Sequence, residues 1–171
     1  MRLEVLSGIE GWPLIAALQE AVYPPDVLAK VIWRDVTWAQ ADTRILVWEG
    51  GEVVCHVGLY ERRCTHDGTM RRIIGVGGVM TAPGARRRGY ASTAMREAAQ
   101  LMASRRMEFG LLFCEPHNEK FYEGLGWRMF AGQVFCEQPR GRIRFGLMAA
   151  MVLPIGSTAR TGVIDLCGLP W

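Results

Sequence analysis

The chain is 171 residues long, half of it apolar, with a formal charge of +3, which suits one globular domain over residues 1–171 and one sizeable core without disulfides. Its five cysteines are odd in number and never form a Cys-x-x-Cys pair, which excludes a locally encoded zinc site or disulfide framework and fits a reducing cytoplasm. The amino terminus lacks the apolar run of a signal peptide, and no stretch approaches the ~18 uninterrupted apolar residues of a membrane span, so a soluble protein with no membrane partner is expected.

RLEVLS alternates as an edge strand, and GWPLIAALQEAVYPP reads as a short helix closed by two prolines. A second helix is predicted from Asp26 to Val36. Three strand-like runs follow between Thr43 and Pro83, separated by Glu49-Gly50-Gly51-Glu52 and His66-Asp67-Gly68-Thr69, both of hairpin chemistry. From Arg88 to about Arg106, Ala91, Met95, Ala98 and Met102 recur at helical spacing. EFGLLFC is a short buried strand, and EPHNEKFYEGLG a helix stopped by glycine. WRMFAGQVFCEQ and RIRFGLMAAMVLPI read as two strands around Pro139-Arg140-Gly141, and GSTARTGVIDLCGLPW as an irregular tail. A meander followed by strand-helix-strand-helix and a closing hairpin predicts an α+β (α/β layered) fold with a mixed sheet. In it the strand before PGARRRGYAS and EFGLLFC are parallel neighbours joined by the long helix.

The basic residues are almost all arginine, in Arg62-Arg63, Arg71-Arg72, Arg86-Arg87-Arg88 and Arg105-Arg106. Arginine suits phosphate where forked hydrogen bonding matters. No aromatic-interleaved basic stripe, zinc-finger spacing or RRM signature accompanies them, so no nucleic-acid partner is expected. Arg86 to Arg88 differ from the other pairs by standing at a predicted helix start. Unpaired N–H groups and a partial positive charge bind anions there, phosphate above all. Gly89 lets the backbone approach, and Ala91 and Ser92 leave room. Neither a Walker loop nor a dinucleotide fingerprint is present.

Arg86-x-x-Gly89-x-Ala91 resembles the Q/R-x-x-G-x-G/A signature of the GNAT superfamily of acyl-CoA-dependent N-acyltransferases. VMTAP resembles the strand before that loop and FYEGLGWR the family's second motif, so the resemblance runs in order through the middle of the chain. It implies the GNAT fold, a mixed and mostly antiparallel sheet of about seven strands flanked by about four helices. It implies acetyl-CoA as co-substrate, with no metal, held by Val79, Met80, Thr81, Arg86, Arg87, Arg88, Gly89, Tyr90, Ala91, Ser92 and Asn118. Among these, a backbone N–H near Val79 to Thr81, exposed by a strand bulge, would meet the thioester oxygen. Tyr122 is implied as the catalytic general acid that reprotonates the departing thiolate. A homodimer is left open.

CHVGLYERR and the closing VLPIG and GVIDLCGLPW resemble, more narrowly, the aminoglycoside 2'-N-acetyltransferases and the nodulation acyltransferases. That likeness implies a primary amine of a small molecule as acceptor, an aminoglycoside or amino sugar among them. It also implies Trp171 as a substrate-binding residue through its α-carboxylate, with Asp165 as a nearby second acid. The alternatives are transfer of a longer acyl chain, which needs an open apolar groove, and binding of acyl-CoA without turnover. Where the aminoglycoside enzymes carry a glutamate on the central strand, this chain has Gly77. His56, Glu61 and Asp67 are the alternatives for a base, and His56 reads equally as a core histidine satisfied by a hydrogen bond. Cys114 is the candidate for a covalent route, with no histidine-acid partner assigned to it.

Overall fold

The computed structural model describes all 171 residues and opens on β1 (Arg2–Ser7), an edge strand paired antiparallel with β2 (Thr43–Glu49). Between them run α1 (Gly8–Gly11), a 3-10 turn at Pro13–Ile15, α2 (Ala16–Val22) and α3 (Pro25–Leu28). A capping box starts α1: the Glu10 N–H donates to Ser7 Oγ at 3.2 Å while the Glu10 carboxylate accepts from Ser7. The helix expected from Asp26 to Val36 stops at Leu28. Beyond it Val31, Ile32, Trp33, Val36, Thr37 and Trp38 are β-branched or aromatic and poor helix formers, and their turns bring rings against the sheet instead.

The meander forms as predicted from β2, β3 (Glu52–His66) and β4 (Thr69–Thr81). Asp67 and Gly68 take φ of +49° and +77°, the sign a two-residue hairpin turn demands. Next come α4 (Tyr90–Ser104), β5 (Phe109–Cys114) and α5 (Glu119–Glu123). The chain closes with β6 (Arg128–Met129), β7 (Gln133–Gln138), β8 (Gly141–Arg144), β9 (Ala149–Pro154) and β10 (Val163–Asp165).

All ten strands share one mixed sheet, in the order β6-β9-β5-β4-β3-β10-β7-β8, with β2 and then β1 on the other part of the long β3. Only β4–β5 and β10–β7 are parallel. Two predicted strands are each divided. WRMFAGQVFCEQ yields β6, on β9, and β7, on β10, because the chain crosses the sheet at Ala131-Gly132, where a Cβ on Gly132 would lie 2.2 Å from the Gly162 carbonyl. RIRFGLMAAMVLPI divides into β8 and β9 in the same way. The tail is irregular except at β10: Val163 N–H donates to Asp67 Oδ1 at 2.7 Å, and Ile164 is fully buried between β3 and β7.

Each face of the sheet carries a core. On one, Ile74, Val76 and Leu112 meet Ala94, Met95, Ala98 and Met102 of α4 and Tyr122 of α5. The predicted stripe of α4 is thus the buried one, each large side chain contributing about 1.5–3 kcal/mol. On the other, Ile73, Phe109 and Leu111 pack with Phe130, Phe145 and Trp171.

Candidate active site

The anion cradle follows from backbone conformation. After β4 the chain makes a 3-10 turn at Pro83–Ala85, then places Arg87 at φ +61° and Gly89 at φ +83° before α4 begins. No side chain caps α4, so its first-turn N–H groups are free for a ligand. A Cβ on Gly89 would meet nothing within 4 Å, so its left-handed φ, not space, calls for glycine. Arg86, Arg87 and Arg88 are all exposed. Arg86 Nε donates to the Thr81 carbonyl at 3.4 Å, and Arg88 pairs with Glu49 at 2.8 Å. The Tyr90 ring turns inward, 5% exposed, leaving its main chain as its contribution to the cradle. Ala91 and Ser92 are half-buried. Free amides, an open glycine and exposed guanidiniums fit the pyrophosphate of coenzyme A.

The cradle adjoins a split in the sheet. Strands β4 and β5 pair only from Ile73 opposite Phe109 to Val76 opposite Leu112, yet β4 runs on to Thr81 and β5 to Cys114. Past Val76 they part, opening a cleft at their carboxyl ends, where open sheets bind ligands. Within that stretch Gly77 pairs with Gly58 and Met80 with His56, so β4 carries one extra residue, a bulge at Gly78-Val79 with Gly78 at φ +56°. Met80 itself is core, 5% exposed beside Ile15, Leu18 and Leu46. Thr81 Oγ1 donates to Cys55 Sγ at 3.4 Å. Asn118 is the exposed residue preceding α5.

Tyr122 lies on α5, 7% exposed, with Phe121 and Trp127 edge-on to its ring. Burial pushes its phenol well above the ordinary range, and Cys114, Tyr23 and Cys55 add to the rise. Cys114 donates to Met151 Sδ at 3.6 Å, and burial pushes its thiol up to about 11. It remains a thiol at neutral pH, which disfavours the covalent route.

The alternatives for a base separate clearly. Glu61 is paired with Arg105 at 2.6 Å, and Asp67 accepts from Val163 at the far hairpin. His56 is 1% exposed, with Arg44 Nη1 donating to its Nε2 at 3.1 Å and its Nδ1 2.7 Å from the Gly78 carbonyl. A guanidinium only donates and a carbonyl only accepts, so the ring is neutral with its proton on Nδ1. Burial, with Arg44, lowers its pKa to about 4. His56 is therefore a satisfied core histidine, and it fastens the bulge of β4.

Trp171 does not lie loosely on the surface. Its indole is 5% exposed, donates from Nε1 to the Leu111 carbonyl at 3.1 Å and stacks on Tyr60 at 5.9 Å. The room for it comes from missing side chains: a Cβ on Gly75 would stand 2.1 Å from the indole, and one on Gly77 2.9 Å from the Trp171 carbonyl carbon. Asp165 is placed elsewhere. It pairs with Thr65 of β3, seven residues from the Gly58 that faces Gly77, or ~23 Å along the strand. There it holds Arg142 at 2.5 Å and accepts from the Cys167 N–H. It is not a second acid beside Trp171.

Two residues that sequence reasoning did not single out are Tyr23 and Glu115: burial raises the Tyr23 phenol, Glu115 raises it further and Arg86 opposes the rise. Glu115 follows β5 directly, and a carboxylate just past a parallel strand was a readable signal. Tyr23, ahead of two prolines, gave none.

An uncapped helix start after a bulged strand, beside a splayed parallel pair and a buried tyrosine, defines an acyl-CoA-dependent N-acyltransferase scaffold. Residues 8–130 match the family model for the acetyltransferase (GNAT) domain, and the chain belongs to that family. A GNAT family N-acetyltransferase (YhbS) from Escherichia coli, solved in complex with CoA, superposes with TM-score 0.65 at 16% identity, over 97% of this chain and 89% of that one. A GNAT family acetyltransferase from Brucella melitensis, in complex with acetyl-CoA, gives 0.62 at 14% identity, over 95% and 94%. Over 52% of this chain there is 26% identity to a GCN5-related N-acetyltransferase from Kribbella flavida, of which it spans 22%, at TM-score 0.47. No curated protein matches the sequence significantly.

Proposed function

We propose that the protein is an N-acetyltransferase that moves an acetyl group from acetyl-CoA to a primary amine of a small molecule by direct attack, with Tyr122 as general acid. The observation that carries this reading is the buried, proton-retaining Tyr122 on the side of the sheet where the uncapped start of α4 meets the β4–β5 cleft.

Acetyl-CoA supplies an activated thioester, whose sulfur needs a proton as it leaves. Arg86 to Ser92 hold the pyrophosphate through main-chain N–H groups and guanidiniums, with Asn118 flanking the cleft. The bulged stretch Val79 to Thr81 presents a backbone N–H to the developing oxyanion. Tyr122 donates the proton to sulfur, and the high pKa given by burial keeps that proton available. Trp171, whose carbonyl carbon lies 2.9 Å from where a Cβ on Gly77 would stand, contacts the acceptor amine. The amine proton passes to water. The new N–C bond forms as C–S breaks, and the protein contributes mainly proximity and charge stabilisation. A cytoplasmic setting belongs to the same reading, supported by five free cysteines, four of them buried.

The test is thiol release from acetyl-CoA over aminoglycosides, amino sugars, polyamines and peptide amino termini. Release with at least one amine, lost in Tyr122→Phe, is expected. Release only from longer acyl-CoA esters would favour the nodulation type, and tight CoA binding without release the non-catalytic binder. Trp171→Ala should raise KM for the amine and leave CoA affinity unchanged; an unaltered amine KM would remove Trp171 from the acceptor site.

A further inference from the structure

Resting on the reading of the cradle as an acetyl-CoA site, we propose that Glu49 is a positioning residue of that site. It holds Arg88 as a strut of the cradle, so that the pyrophosphate is met by main-chain N–H groups and by Arg86 and Arg87. Of the three arginines only Arg88 forms an ion pair. Its two terminal nitrogens grip the two Glu49 oxygens, Nη1 to Oε2 at 2.8 Å and Nη2 to Oε1 at 2.8 Å, a fork that fixes direction as well as distance. The same guanidinium lies 5.1 Å over the ring of Tyr90, the first residue of α4, and that ring is packed in the core. A hydrogen bond from Tyr90 is the foremost effect holding the Glu49 carboxyl below its ordinary range, and the Arg88 charge adds to it. Glu49 closes β2, just before the hairpin turn at Gly50 and Gly51. The strut therefore ties the sheet to the start of α4.

The conformation of the loop calls for such a tie. Arg88 stands between two left-handed residues, Arg87 at φ +61° and Gly89 at φ +83°. An L side chain such as that of Arg87 keeps this φ only where its surroundings hold it there. No side chain caps α4, so the aim of its first N–H groups depends on the loop that leads into it. Upstream that loop is fastened by the Ala82 N–H on the Val54 carbonyl at 2.9 Å and by Arg86 Nε on the Thr81 carbonyl at 3.4 Å. Downstream the fastening is Arg88 on Glu49. Charge points the same way, because an anion brought to Arg88 also meets the Glu49 carboxylate, which repels it. Other charges near Glu49 do not take over the role of Arg88. Arg2, opposite Trp48 on β1, pairs with Glu4, and Glu52, opposite Glu49 across the hairpin, is exposed and forms no ion pair.

The experiment measures CoA affinity by calorimetry on the full chain for wild type, Glu49→Gln, Arg88→Ala, the double variant and Glu52→Gln. Glu49→Gln and Arg88→Ala should each weaken CoA roughly fivefold to twentyfold, the scale of a charge-assisted pair. The double variant should be no weaker than either single one, since both remove the same strut. It keeps the net charge, so its affinity should fall with salt as the wild type's does, whereas Arg86→Ala should flatten that dependence. Glu52→Gln removes a nearby negative charge without touching Arg88 and should not weaken CoA. In turnover Glu49→Gln should raise KM for acetyl-CoA and keep kcat. Arg88→Lys, which keeps the charge without the fork, serves should Arg88→Ala not fold, and should also weaken CoA. An Arg88 that contacts the phosphates itself gives the opposite sign, because Glu49→Gln then frees it and tightens CoA. That result, or an affinity untouched by Glu49→Gln, overturns the proposal and leaves the acetyl-CoA site standing. A wild type that binds no CoA contradicts the site and this proposal with it.

Discussion

Tyr122 and His56 are both buried, and burial sets opposite tasks for them. A phenol whose pKa is raised keeps its proton, so a general acid at Tyr122 stays competent through neutral and mildly alkaline pH. Accordingly kcat should hold level up to about pH 10, the ordinary tyrosine value, and Tyr122→Phe should lower kcat by ~10²–10⁴. A pH-rate profile that falls near pH 8 would point to a different acid. His56 has its pKa lowered from 6.5 to about 4, so between those values the unfolded chain binds a proton that the folded chain refuses. The stabilisation is complete above pH 6.5 and is lost as pH falls through 4, amounting to on the order of 3 kcal/mol. Urea denaturation at pH 7 and pH 4.5 should show that loss, and His56→Gln should flatten it. Tyr122 could be singled out because it sits in a short ordered motif. The task of His56 was not, because the hydrogen bond from Arg44 and the bond to Gly78 join residues of three strands.

The helix α4 and the strand β4 were legible as elements, the first from its Met and Ala spacing, the second from its place between hairpin and proline. Their special residues divide differently. Gly89 announced itself by following three arginines, and Gly89→Ala, forced to φ +83°, should cost ~1–2 kcal/mol and weaken CoA binding. Gly75 gave no signal, since the indole that needs its bare backbone comes from the far end of the chain. Gly75→Ala should lower stability by about 1–3 kcal/mol through overpacking, read as a lower urea midpoint; an unchanged midpoint would mean that the tail is easily displaced. The division of two predicted strands, and the strand within the tail, were hidden for the same reason. A two-residue alternation tells which face a side chain takes and says nothing of which neighbour the strand joins.

Across the whole molecule the arginines turn out to serve separate ends. Arg44 is buried on Gly8 and His56, Arg62 stands over the Trp171 ring, and Arg71, Arg105 and Arg142 hold acids. Only at Arg86 to Arg88 do exposed guanidiniums meet an uncapped helix start, which sets that cluster apart from the others. No helix is long and apolar enough to cross a membrane. Replacing Arg86 with alanine should raise KM for acetyl-CoA and leave kcat for the amine in place, a split measured by initial rates at saturating acceptor.

The central claim, acetyl transfer in the β4–β5 cleft with Tyr122 as acid, meets its most direct test in one paired measurement on wild type and Tyr122→Phe. Thiol release from acetyl-CoA with the best amine and CoA affinity by calorimetry are measured on the same samples. The account predicts amine-dependent release in the wild type, loss of at least ~10² in the variant, and equal CoA affinity in both. Release that survives in the variant, or acetyl-CoA that neither binds nor reacts in the wild type, would contradict it.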